Sequence, residues 1–148
     1  MDNPISGLEK PLLFVGIGNS LKADDAAGVE FVEKLQKKGT SHLLLDCGEM
    51  PENYIKKIAS FAPKTVVFVD AMHAAENPGN IKLIDTETIT NVNVSTHGMP
   101  LSMLAEIISI ETGAKVYILG IQAKTLAFGQ PMSQEVSSAI DSLVEAVD

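Results

Sequence analysis

Leu12-Leu13-Phe14-Val15-Gly16-Ile17-Gly18-Asn19-Ser20-Leu21-Lys22-Ala23-Asp24-Asp25-Ala26-Ala27-Gly28 is a short apolar run that ends in a glycine turn and leads into a helical pattern. A continuous apolar run of this length, bounded by glycine, suits a strand covered on both faces. Runs of the same kind recur at Leu43–Leu45, before Asp46-Cys47-Gly48, and at Val66–Val69, before Asp70. A further one covers Val116–Ile121, interrupted by Gly120.

Helical patterns alternate with these runs. Val29, Val32 and Leu35 share one face; Ile55, Ile58 and Ala59 follow Pro51; Leu101, Leu104 and Ile108 follow Pro100. The clearest pattern is the last, with Val136, Ala139, Ile140, Leu143, Val144 and Val147 on one stripe. The alternation predicts a three-layer α/β/α fold with a mostly parallel twisted sheet of about five strands. One element breaks the rhythm. Ile81–Asp85 reads as a strand, yet only Ala71–Asn80 separates it from the run ending at Asp70. A parallel crossover needs about a dozen residues or more. The segment is therefore expected to be antiparallel or at an edge. Thr86 to His97 is polar and reads as loop, and the stripe Leu101, Met103, Leu104, Ile107 reads as core.

Composition narrows the function. A chain of 148 residues with 45% hydrophobic residues reads as a single domain, 1–148. Its 11 Lys and Arg against 19 Asp and Glu leave a net charge of −8. That balance argues against nucleic acid and anionic membrane, which need clustered cations. No apolar run approaches the ~20 residues that span a bilayer, and the N-terminus has no signal-peptide core. One cysteine, Cys47, permits no intrachain disulfide. A cytoplasmic protein without membrane insertion is expected.

A Rossmann-like nucleotide-binding module is a further alternative, and the glycine turn counts against it. A dinucleotide fingerprint needs glycine at relative positions 1, 3 and 6, and the third falls on Leu21. A P-loop lacks its Gly-Lys-Ser/Thr. Asp24 and Asp25 would repel phosphate from the helix start. These aspartates read either as helix caps or as site residues. Asp70, at the end of a central strand, should lie on the carboxyl edge, where open α/β sheets build their sites. His97 sits in Ser95-Thr96-His97-Gly98-Met99-Pro100, before a helix. Taken singly, Asp70 reads equally as a strand-ending turn residue and His97 as ordinary surface. Together, Asp25, Asp70 and His97 offer two carboxylates and an imidazole, a set that suits zinc or nickel better than copper(I). Cys47 reads as a small buried hydrophobe.

Gly-Ile-Gly-Asn-Ser-x3-Asp-Asp-x2-Gly (16–28), Val-Asp-Ala (69–71), Asn-Pro-Gly (77–79) and Thr-His-Gly-Met-Pro (96–100) resemble the nickel–iron hydrogenase maturation endopeptidases. Leu-Gly-Ile-Gln (119–122) and the His-Gly-Met-Pro box look most like the hydrogenase 3, formate hydrogenlyase-type branch. The resemblance implies an endopeptidase that removes the C-terminal extension of a [NiFe]-hydrogenase large-subunit precursor after nickel insertion. It implies recognition of that nickel by Asp25, Asp70 and His97, with the metal supplied by the substrate rather than permanently bound. Part of the family has glutamate where Asp25 stands. Asp24 receives no ligand role, and its replacement is expected to matter less. The loop 122–132 after the last strand, with Gln122 and Phe128, is expected to line the substrate groove, and the protein to act as a monomer. The alternative is a non-catalytic nickel-sensing chaperone of the same precursor.

Overall fold

The computed structural model describes residues 1–88, 93–94 and 99–147, with the backbone alone at 93–94. The strand of the opening run, β1 (Leu12–Gly16), is buried along its whole length. The chain then makes a 3-10 turn at Ala23–Ala26 and enters α1 (Ala27–Lys38). β2 (Leu43–Asp46), a 3-10 turn at Pro51–Tyr54, α2 (Ile55–Ser60) and β3 (Thr65–His73) follow. β4 (Ile81–Asp85) leads through a 3-10 turn at Thr86–Thr88 towards β5 (Asn93–Val94). α3 (Leu101–Thr112), β6 (Lys115–Gln122) and α4 (Gln134–Ala146) complete the order.

The strands form one sheet in the order β2-β1-β3-β6-β4, with β5 paired to β3. β1, β2, β3 and β6 are mutually parallel. β4 is both antiparallel to β6 and at the sheet edge, as the short link from β3 requires. The expectation of plain loop over 86–97 fails in part. Thr86–Thr88 is a 3-10 turn, and Asn93–Val94 runs antiparallel against Met72–His73. Two polar-flanked residues carry no periodicity of their own; their pairing depends on β3 extending past the body of the sheet.

Helices cover both faces. Odd-numbered β3 residues Val67 and Val69 pack with Phe31 and Leu35 of α1 and Ile140 and Leu143 of α4. Even-numbered Val66 and Phe68 pack with Ile58 of α2 and Leu104 and Ile108 of α3. Burying each such side chain contributes roughly 1.5–3 kcal/mol. The α4 stripe buries as its spacing predicts. In α1 the buried face is turned from the predicted one: Phe31 is fully buried and Val29 only half-buried. In α3 the core positions are Leu101, Leu104, Ala105 and Ile108, whereas Met103 is exposed and Ile107 half-buried. The helix lies on the sheet through its i, i+3, i+4, i+7 face, and Met103 falls off it. No helix among the described residues is long and apolar enough to cross a membrane.

Candidate functional site

The carboxyl ends of β1 and β3 are brought unusually close to the first turn of α1. Gly28 makes this possible. A Cβ there would lie 1.9 Å from the Val69 carbonyl oxygen and 2.5 Å from that of Ile17. Gly18 is the second requirement. Its φ is +147°, and a Cβ there would lie 1.9 Å from the Asp25 carbonyl oxygen. The glycines thus let the turn fold flat over the sheet edge, rather than cradle a phosphate. Ala23 holds a positive φ of 49° just before the acidic pair, a conformation that costs roughly 1–2 kcal/mol and persists because its surroundings impose it.

Asp24 and Asp25 are both fully buried. Neither caps a helix: the 3-10 turn and α1 have no side-chain cap bond. Asp25 Oδ2 instead accepts from the Asn19 amide at 3.0 Å, which folds the glycine turn back onto its carboxylate. Asp24 faces the other way, towards the loop after β6. Its Oδ2 accepts from the amides of Lys124 at 2.8 Å and Thr125 at 3.1 Å.

Asp70 continues the even-numbered side of β3, so it points to the α2/α3 face. It is fully buried. Its Oδ1 accepts from the Ala71 amide at 2.8 Å, and its Oδ2 has no hydrogen-bond partner among the described residues. Burial pushes the Asp70 carboxyl well above the usual carboxylate range, and the Asp25 charge pushes it further; the Ala71 amide opposes them. A buried, unpartnered carboxylate oxygen beside a second carboxylate is costly to maintain. It is the kind of feature found where a cation is to be received.

The structure therefore brings Asp25 and Asp70 together on the carboxyl edge. His97 lies outside the described residues. α3 starts on that edge, because it runs back across the sheet face before β6 begins, and His97 precedes α3 by four positions in the sequence. No group of three metal-ligating side chains occurs among the described residues. Gln122 is buried at the end of β6; its Oε1 accepts from the Ala74 amide at 2.9 Å and its Nε2 donates to the Ala123 carbonyl at 3.0 Å. Phe128 is 70% exposed. Cys47 is buried, as its sequence context suggests, and burial pushes its thiol up to about 12. Sequence reasoning missed the contacts of Asp24 with the loop after β6, since its partners lie about a hundred residues away.

A sequence model of the hydrogenase maturation protease family, HycI, matches residues 29–148. The chain belongs to this family. It is 33% identical to the hydrogenase 3 maturation protease of Escherichia coli K12 over 134 residues, 89% of this chain and 85% of that one. The crystal structure of a [NiFe] hydrogenase maturation protease, HycI, from Thermococcus kodakarensis superposes with a TM-score of 0.87 at 36% identity, covering 97% of this chain and 93% of that one. The solution structure of the endopeptidase HycI from Escherichia coli gives 0.80 at 32% identity, with 90% and 86% covered. The maturation protease family is thus established for this chain, and its members named here share the mostly parallel sheet. The family match begins just past Gly28, so the case for Asp25 rests on its own geometry.

Proposed function

We propose that this protein is the endopeptidase that removes the C-terminal extension of a nickel-loaded [NiFe]-hydrogenase large-subunit precursor, and that Asp25, Asp70 and His97 read the inserted nickel. The observation that carries the reading is the buried Asp70 Oδ2, unpartnered among the described residues and set beside Asp25 in a chain of this family. Nickel belongs to the substrate. Two carboxylates and one imidazole leave coordination positions to the softer thiolates of the precursor. A nickel held there supplies Lewis acidity towards a nearby carbonyl or water.

The chain's own residues supply the rest. Asp25 and Asp70 set two carboxyl groups side by side in a dry place, and a cation received there displaces the proton that burial favours on Asp70. Gln122 holds the backbone at Ala74 and Ala123, and Phe128 offers an exposed ring to the docked polypeptide. Cys47 is no nucleophile, since its thiol stays protonated and buried.

The test is the intact mass of a nickel-loaded precursor after incubation with the protein. Loss of the C-terminal extension is expected. A precursor that is bound and left whole would identify a nickel-sensing chaperone instead.

A further inference from the structure

The Asp24 carboxylate, which has no part in reading the nickel, closes the loop that carries Phe128. Beyond the Lys124 and Thr125 amides, it takes in the far end of the same loop. Oδ1 accepts from the Ser133 amide at 2.7 Å, and Oδ2 accepts from the Ser133 hydroxyl at 2.9 Å. The Asp24 amide donates to the Thr125 carbonyl at 3.1 Å, so backbone and side chain grip the same strand end. Ser133 is also the N-cap of α4, its Oγ accepting from the Val136 amide. Residues 124 and 133 are thus pinned to one buried carboxylate, and the chain between them is a compact surface loop.

The loop carries Phe128, 70% exposed, and its tip is tied back by the Gly129 amide, which donates to the Leu21 carbonyl at 2.8 Å. Leu21 is itself 61% exposed. Two large apolar side chains therefore stand on neighbouring loops, that of Phe128 held by Asp24 and that of Leu21 by Asn19, whose amide donates to the Asp25 carboxylate. Nothing in the fold of the chain requires either of them to be apolar. A buried carboxylate with four donors is a stronger anchor than the capping role that Ser133 alone would provide.

We propose that Asp24 is a positioning residue for substrate recognition: it holds loop 124–133 so that Phe128 and Leu21 form an apolar lip for the precursor polypeptide beside Asp25. The inference rests on the precursor being the substrate. Asp24 touches neither the nickel nor the scissile bond, so its loss should act on binding.

The experiment measures KM and kcat for the nickel-loaded precursor, its Kd, and amide hydrogen exchange, in wild type, Asp24→Asn and Phe128→Ala. Asparagine keeps the shape and turns an amide towards donors. It should raise KM and Kd about tenfold with kcat within about twofold, and speed exchange at Lys124 and Thr125. Phe128→Ala should raise KM similarly with unchanged thermal unfolding, since its ring is exposed. Unchanged KM and Kd in Phe128→Ala, or an Asp24→Asn that loses thermal stability and kcat at constant KM, would overturn the proposal. Because Kd is read without cleavage, a wild type that binds and does not cut would count against the endopeptidase reading and leave the lip measurable.

Discussion

Asp25 faces Asp70 across the carboxyl edge of the sheet, and its charge adds to burial in keeping the Asp70 carboxyl protonated well beyond the usual range. Two buried acids side by side are a liability for folding.

The first consequence is a stability gain on removing the charge. The folded pKa of Asp70 is raised, so between its ordinary value and its folded value the native state holds a proton that the unfolded state releases. Stability falls as pH rises through that window, and the full penalty is present above it. Asp70→Asn carries no charge at any pH. It should unfold at a higher denaturant midpoint than wild type at neutral pH, and the difference should close as pH falls below the ordinary carboxylate pKa.

The same substitution should abolish the activity. Asp25→Asn and Asp70→Asn are each expected to lower processing of the nickel-loaded precursor by about a hundredfold or more, beyond what loss of an outer-shell partner costs. Circular dichroism should be unchanged. An unfolded Asp25→Asn would be answered by Asp25→Glu, which restores the carboxylate.

Gly28→Ala should be the most disruptive small change near the site. The added Cβ meets the Val69 and Ile17 carbonyl oxygens, which are backbone and cannot swing aside. Overpacking of this kind costs about 1–3 kcal/mol. Urea titration should show the loss, and processing should fall with it because the turn bearing Asp25 is displaced.

The Cys47 thiol should be silent. With its pKa pushed up to about 12 and its side chain buried, it should resist Ellman's reagent at pH 8 until the protein is unfolded. Cys47→Ala should process the precursor at the wild-type rate within about twofold.

Much of the fold was legible in the residues themselves. The apolar run 12–15 with its glycines, the α4 stripe and the short link before Ile81 each reflect local constraints, and each led to the observed element. The nearness of Asp25 to Asp70 was legible because the turn after β1 and the end of β3 meet at one edge of a parallel sheet. What escaped depended on distance along the chain. β5 forms only because β3 runs past the sheet body, and the α3 face is chosen by its neighbours, which leaves Met103 in solvent. The grip of Asp24 on Ser133 spans more than a hundred residues and has no local signature, so a helix cap was the simplest reading of a residue that caps nothing.

If Asp25 and Asp70 recognise nickel carried by the substrate, cleavage requires both carboxylates and the loaded metal. The experiment sets nickel-loaded and nickel-free precursor side by side with wild type, Asp25→Asn and Asp70→Asn, and follows release of the C-terminal extension by mass spectrometry. Release is expected only with wild type and only from the nickel-loaded precursor. Equal cleavage of the nickel-free precursor, or wild-type cleavage by Asp70→Asn, would contradict it.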